Sequence, residues 1–234
     1  MNVIRRNIPN SLTCLNLLCG VLAIISGVHA DSPVAGGLTG TQLAWIFIAG
    51  AAVADFCDGF AARLLGAYSS LGKELDSLCD NVSFGVAPAV SLYFALRGIS
   101  PSSAVAWAAL IIPICGALRL AKFNIDESQT THFRGLPIPA NAIFWIGYMA
   151  LMQQSELLAT PGIFLPVVII ESWLMVSPLN MFSLKMKNIG WKEHWKQWLL
   201  IIAAIVFICS MGVSGLMWLI LFYVCLSLIP ERGE

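Results

Sequence analysis

The sequence predicts an all-α, polytopic integral membrane bundle of about eight transmembrane helices, and three observations lead there. Hydrophobic residues make up 58% of the 234 and charged residues only 11%, where an ordinary soluble domain carries roughly 25% charged residues. Apolar stretches of spanning or near-spanning length recur along the chain, separated by short polar connectors. The basic residues collect in alternate connectors. Because one crossing needs about 20 residues, eight use roughly 160 of the 234, so the chain reads as a single membrane domain, 1–234, without room for a separate soluble one. With 13 Lys plus Arg against 13 Asp plus Glu, no basic field speaks for a nucleic-acid partner.

Taken in order, the first four stretches run from Leu12 to Val28, Leu43 to Leu65, Leu75 to Leu96 and Ala104 to Leu120. Pro137 to Met152, Gly162 to Leu179, Trp198 to Gly212 and Ser214 to Ile229 follow. The fifth, seventh and eighth are short and read as thin or polar-lined helices. The glycine-containing connector from Asp31 to Gln42 reads as a flexible loop. With the N-terminus inside, the inner segments hold Arg5, Arg6, Arg63, Lys73, Arg119, Lys122, Arg134, Lys185, Lys187, Lys192, Lys196 and Arg232, and the outer ones only Arg97. That asymmetry puts both termini in the cytoplasm and favours an even number of spans, since dropping one would invert the later basic connectors. A secretory signal peptide is the rival reading of the first stretch, with Val28-His29-Ala30 as its cleavage site, but the apolar run exceeds the roughly 7 to 15 residues of such a segment. Lys185, Lys187, Lys192 and Lys196, interleaved with Trp191, Trp195 and Trp198, read as an interfacial loop or short amphipathic helix. The seven cysteines lie in apolar stretches without a C-x-x-C pair, and His29, His132 and His194 have no ligand spacing, so neither disulfides nor a zinc site is indicated.

Against this apolar background four carboxylates stand out. Asp55 and Asp58 interrupt the second stretch and Asp76 and Asp80 the third, although each Asp near a bilayer centre costs roughly 2.5 to 3.5 kcal/mol on insertion scales. At about 100° per residue, each pair shares one helix face, the first about 60° and the second about 40° apart. Asp55 lies about 15 Å before the end of its helix at 1.5 Å per residue, and the second pair lies just inside the start of the next, so all four can meet at one depth. Clustered carboxylates without a cation repel one another, whereas hard divalent ions bind carboxylate oxygens and keep positions open for phosphate. A lone intramembrane pair reads equally as an ion or proton pathway. Asp58, Ala62 and Gly66 form one small-residue stripe and Gly72, Asp76 and Asp80 another, so helices or a ligand can approach closely. Gly59 and Arg63 run alongside, with Arg63 placed to reach an anionic group. Glu171, in mid-stretch, reads as a structural residue, a cavity wall or a dimer contact.

Read together, Asp55-x-x-Asp58-Gly59-x-x-Ala62-Arg63, eight residues, then Gly72-x-x-x-Asp76-x-x-x-Asp80 resembles the signature of the CDP-alcohol phosphotransferase family, with every defining position filled. That resemblance implies a membrane-embedded transferase with two divalent ions, Mg²⁺ or Mn²⁺, held by Asp55, Asp58, Asp76 and Asp80. It further implies a nucleotide lying against Asp55, Asp58, Gly59, Ala62, Arg63 and Gly72, Asp80 as general base, and a homodimer. The runs Leu75–Pro88, Arg119-Leu-Ala-Lys-Phe-Asn124, Gly135-Leu-Pro-Ile-Pro139 and Ile8–Asn16 look like the family's CDP-diacylglycerol–serine branch. The resemblance covers residues 8–180 as a catalytic core; the last two helices, about 198–229, carry no motif of it.

The branch implies CDP-diacylglycerol and L-serine as substrates, phosphatidylserine and CMP as products, and a site on the cytoplasmic side of the cell membrane, where lipid and water-borne reactants meet. A serine hydroxyl is a poor nucleophile at neutral pH and needs a carboxylate to take its proton. Its own carboxylate needs a cationic or polar clamp, for which Arg119, Lys122, Asn124 and Arg134 are the candidates, with Ser77 and Ser83 as further pocket residues. The same cations also suit anchoring to anionic membrane lipids. Two alternatives stay open: another acceptor, glycerol 3-phosphate or an inositol phosphate, and a carboxylate-lined cation transporter, which leaves Gly59, Ala62, Arg63 and Gly72 unexplained.

Overall fold

A computed structural model describes residues 3–100, 104–125, 133–183 and 194–229. The described residues are 83% helical, and the chain is an all-α integral membrane protein. Among the described residues, five helical stretches are long and apolar enough to cross a membrane: Asn7–Val28, Gly40–Leu65, Ser70–Ile99, Ala104–Ile125 and Trp195–Ser227. Two shorter apolar helices are Ile138–Met152 and Pro161–Val176. The contacts divide the chain into two compact units, Met1–Ala121 and Lys122–Glu234. Of the residues assigned to connectors above, Lys185, Lys187, Trp191, Lys192, His132 and Arg232 lie outside the described residues.

In the first unit, α1 (Val3–Val28) packs along α2 (Gly40–Leu65). The buried residues of α2, among them Ala44, Ile48, Ala51, Ala54 and Asp58, recur every three or four positions, the spacing of one helix face. The alanines among them let the two backbones come close. Between the helices the expected flexible loop is instead a small hairpin, β1 (Pro33–Ala35) against β2 (Leu38–Thr39). Gly36 and Gly37 both take positive φ at its tip, the turn chemistry that closes a two-residue hairpin loop. Thr39 then caps α2 reciprocally with Gln42, which starts that helix three residues earlier than its apolar run.

The third expected stretch begins at Ser70 rather than Leu75, because the Ser69 hydroxyl accepts the Gly72 N–H at 3.0 Å and so caps an amphipathic first turn. One long helix results, in three parts: α3 (Ser70–Asp80), a π-helical turn over Asn81–Val86, and α4 (Ala87–Ile99). The π turn and α4 lie against α1 with two serines set into glycine notches. A Cβ on Gly20 would reach within 2.9 Å of the Ser83 Cα, and one on Gly27 within 3.0 Å of the Ser91 Cα. The unit ends in a 3₁₀ stretch, Ala104–Leu110, leading into α5 (Ile111–Ile125), whose Pro113 backbone approaches Gly85 of the π turn.

The second unit contains α6 (Ile138–Met152), α7 (Pro161–Val176), α8 (Trp195–Met211) and α9 (Gly215–Ser227), with a short pair of strands, β3 (Phe133–Arg134) and β4 (Asn180–Met181). Phe144, Trp145, Tyr148 and Phe164 form an aromatic cluster, with ring centroids 5.1 to 6.4 Å apart. Trp145 Nε1 donates to Asn141 at 2.9 Å and the Tyr148 hydroxyl to the Leu158 carbonyl at 2.7 Å, so both polar tips are satisfied within the apolar packing. Helix α9 presses its Met217 backbone onto Gly147 of α6. The chain reverses between α8 and α9 at Gly212, and Lys196 at the start of α8 donates to the Ile229 carbonyl beyond the end of α9. Lys196 is thus buried and caps the α8–α9 hairpin, with Phe182 and Trp195 rings 5.6 and 5.8 Å from its ammonium.

Candidate active site

Local backbone chemistry brings the carboxylates together. Helix α2 stops where Gly66 adopts φ 58°, its N–H closing onto the Ala62 and Arg63 carbonyls, and a left-handed glycine ends a helix without Cβ strain. Ser69 then starts α3 after a turn of four residues, 66–69. Counting out from that turn, Asp55 lies ten residues back from Leu65 and Asp80 ten residues on from Ser70, about 15 Å along each helix. Equal depth follows from equal count. One carboxylate oxygen from each of Asp55, Asp76 and Asp80 lies within 4.8 Å of the other two.

Asp58 stands one turn nearer the connecting turn and opens the other half of the site. With Asp76, Gly59, Ala62 and Gly72 it lines a cavity of about 200 Å³ that Pro9, Asn10 and Thr13 of α1 and Tyr68, Ser69 and Lys73 of the connecting turn and α3 complete. The nucleotide-contact residues expected from the sequence, Asp58, Gly59, Ala62 and Gly72, therefore share one wall system, and Asp55 sits in the adjoining carboxylate cluster. A Cβ built on Gly59 meets no atom within 4 Å; the missing side chain there leaves space in the cavity. At Gly72 a Cβ would come within 3.1 Å of Asn10 Oδ1 and Ser69 Oγ. Arg63 is exposed and folds back along α2, its Nε donating to the Gly59 carbonyl at 2.9 Å.

Two unit charges 4 Å apart repel by about 4 kcal/mol at an effective dielectric of 20, so three or four carboxylates at these separations call for a cation. Asp58 Oδ2 and Asp76 Oδ1 are buried without a hydrogen-bond partner, a costly state for acceptors that nothing else engages. Oxygen donors alone, with no thiol or imidazole among them, suit a hard divalent ion. The residues present fit such an ion.

Helix α1 brings polar groups for which no site role is expected from the sequence. Asn10, Thr13 and Asn16 recur every three residues along α1, and that periodicity is the signal that could have found them. Thr13 lies beside Asp58, its hydroxyl donating to the Pro9 carbonyl at 3.0 Å. Fully buried Asn16 donates its amide N–H to Asp80 Oδ1 at 3.0 Å.

The acceptor candidates belong to both units. Ser77 donates to the Lys73 carbonyl of its own helix at 3.3 Å, and Ser83 is wholly buried, donating to the Asn16 carbonyl at 3.0 Å. Arg119 is buried on α5. In the second unit, Lys122 is exposed with Nζ 3.5 Å from the Val176 carbonyl, Asn124 is half-buried near the end of α5, and Arg134 lies on β3 opposite Asn180.

Comparison with known proteins bears on this constellation directly. The model of the CDP-alcohol phosphatidyltransferase family matches residues 6–179. The chain is similar to proteins named CDP-diacylglycerol–serine O-phosphatidyltransferase from three bacteria. It is 40% identical to that of Mycobacterium leprae over 155 residues, 63% of this chain and 48% of the relative. The Bacillus subtilis protein is 42% identical over 132 residues, 56% of this chain and 69% of the relative. That of Helicobacter pylori strain 26695 is 31% identical over 220 residues, 92% of this chain and 88% of the relative. The chain thus spans about half the length of the Mycobacterium leprae relative and most of the Helicobacter one. With the family match reaching across α1 to α7 and including every residue of the acidic site, the chain belongs to the CDP-alcohol phosphatidyltransferase family.

Proposed function

We propose that this protein transfers the phosphatidyl group of CDP-diacylglycerol to the hydroxyl of L-serine, giving phosphatidylserine and CMP. The observation that carries this reading is the convergence of Asp55, Asp76 and Asp80 within 4.8 Å beside a cavity walled by Asp58, Gly59, Ala62 and Gly72. The family is generally dependent on divalent metal, and Asp55, Asp58, Asp76 and Asp80 would hold the ions, Mg²⁺ or Mn²⁺ and two in number. Bound there, the ions supply charge neutralisation for the pyrophosphate, the chief requirement of phosphoryl transfer.

The chain's own residues do the rest. Gly59 and Gly72 leave room for the nucleotide against the helix backbones, and Arg63 supplies a positive charge at the cavity's edge. Asp80, the most buried of the three converging carboxylates at 8% exposure, takes the proton of the serine hydroxyl as it attacks phosphorus and CMP leaves. Arg119, with Lys122, Asn124, Arg134 and Ser77 as further candidates, clamps the serine carboxylate. Ser83 contributes by holding α1 against the π turn. The names of the bacterial relatives support serine as acceptor.

The protein works in the cell membrane as a single domain and a homodimer, with eight crossings, both termini in the cytoplasm and the site facing the cytoplasm. The twelve-to-one distribution of basic residues supports that orientation. Reporters inserted singly at residues 36 and 158 are expected outside and one at 190 inside; a cytoplasmic reporter at 36 would end the eight-span arrangement.

The deciding experiment is CMP release from CDP-diacylglycerol by the purified protein with Mg²⁺ or Mn²⁺ and matched concentrations of L-serine or glycerol 3-phosphate. Serine should support turnover and glycerol 3-phosphate should not. Preference for glycerol 3-phosphate would overturn the acceptor while leaving the family reaction intact.

A further inference from the structure

Among the three clustered carboxylates, Asp80 is tied to a side chain of another helix. Asn16 of α1 is fully buried and donates its amide to Asp80 Oδ1 at 3.0 Å. Its main chain is fixed separately, since the carbonyl of the same residue accepts the Ser83 hydroxyl at 3.0 Å. Ser83 itself is lodged against Gly20, where a Cβ would approach its Cα to 2.9 Å. Asp80 and Ser83 flank the start of the π turn, Asn81–Val86. One α1 residue is therefore gripped by backbone and aimed by side chain at the last turn of α3.

The terminal torsion of a carboxylate is broad and nearly two-fold, so an unrestrained Asp presents either oxygen. An N–H on Oδ1 restricts that freedom and leaves Oδ2 without a donor from Asn16. The donor's chemistry matters as much as its position. A Lys or Arg at this place would form an ion pair with Asp80 and compete with a cation for its charge; a carboxamide orients the group and leaves the charge in place.

The geometry points to Asn16 as a positioning residue for Asp80: its amide holds the carboxylate in the one orientation that offers an oxygen to the acceptor hydroxyl. This rests on the reading of Asp80 as the base in the proposed transfer. Asn16 touches Asp80 and acts through it. Hydrogen-bonding partners behind ligating carboxylates are typically worth about 10 to 100-fold on mutation.

The test uses full-length purified Asn16→Ala, Asn16→Asp, Ser83→Ala, Asp80→Asn and the Asn16→Ala/Asp80→Asn double variant. Single-turnover CMP release, equilibrium binding of CDP-diacylglycerol, and Mn²⁺ binding by electron paramagnetic resonance are measured for each. Asn16→Ala should lose about 10 to 100-fold in the single-turnover rate, with CDP-diacylglycerol and Mn²⁺ binding within about threefold of the parent, a change of under 1 kcal/mol. Asn16→Asp, which sets a second acceptor against Asp80, should lose more than Asn16→Ala. The double variant should be no slower than Asp80→Asn alone, and Ser83→Ala should retain far more activity than Asn16→Ala.

An Asn16→Ala rate within a factor of two of the parent overturns the inference, as does a parallel loss of Mn²⁺ or nucleotide binding, an additive double variant, or equal losses in Ser83→Ala and Asn16→Ala. Near-normal turnover of Asp80→Asn is a different failure: it removes the base assignment on which the inference rests.

Discussion

Helices α2 and α7 both bury carboxyl groups in apolar surroundings, and they differ in what faces those groups. On α2, Asp55 meets Asp76 and Asp80 from the neighbouring helix within 4.8 Å, and Asp58 has Thr13 beside it and a cavity in front. On α7, Glu171 is buried more completely, at 2% exposure, and its Oε2 has no hydrogen-bond partner. Among the described residues the group of carboxylates close enough to share an ion is the one built on Asp55, Asp76 and Asp80. Burial alone therefore does not make the site. Two helices returning on each other at the right count of residues do.

The sharpest way to break this comparison is to remove one charge from the convergent set. Asp55→Asn or Asp76→Asn should lower turnover by more than ~10²-fold, because electrostatic stabilisation at a phosphoryl centre is lost while shape is kept. Asp80→Asn should cost ~10² to 10⁴ in rate with CDP-diacylglycerol binding largely preserved, the range of general-base catalysis. Asp58→Asn should weaken nucleotide binding as well as turnover. Equilibrium binding and single-turnover CMP release on each variant separate these. Normal activity in chelated membranes would sink the metal assignment for the whole cluster.

Glycine replacements sharpen the contrast between a wall that receives a ligand and one that receives another helix. At Gly147 a Cβ would lie 2.9 Å from the Met217 Cα and nearer still to its nitrogen, so Gly147→Ala should destabilise the α6–α9 packing by about 1 to 3 kcal/mol through overpacking, read as a lower thermal midpoint in detergent. At Gly59 the same methyl meets nothing. Gly59→Ala should keep or raise the midpoint, since alanine gains about 1 kcal/mol of helix propensity. Nucleotide binding should weaken about tenfold, the equivalent of 1.4 kcal/mol. A stable Gly59→Ala that binds CDP-diacylglycerol as tightly as the parent would mean that the cavity does not hold the nucleotide against that residue.

The same contrast explains what could be read from the sequence. Four aspartates in two apolar stretches violate the cost of burying charge, and their spacing announces both a shared face and the small residues around it. That part of the site is legible because it breaks a rule at a fixed period. Asn16 breaks the rule too, in step with Asn10 and Thr13, but that period gives no hint of which residue it faces 64 positions later. The π turn at Asn81–Val86 leaves no compositional mark, so the pairing of Ser83 with Asn16 could not be foreseen. The early start of α3 at Ser70 escaped because its first turn is amphipathic and held by a Ser69 cap, whereas span recognition follows apolar runs.

Glu171 provides the smallest expected effect and the most searching control. It lies on α7 outside the group of converging carboxylates, and a carboxyl so placed contributes packing volume more than chemistry. Glutamine keeps that volume and removes the ionisable group, so no uncompensated charge remains to be buried. Glu171→Gln should hold or raise the thermal midpoint and keep turnover within about twofold, a change of under half a kcal/mol in the barrier. Both quantities are read on one purified sample, by thermal unfolding and by CMP release with serine. A loss of turnover comparable to that of Asp55→Asn, with the midpoint unchanged, would show that a single buried carboxyl outside the convergent set carries chemistry, and the distinction drawn between α2 and α7 would fail.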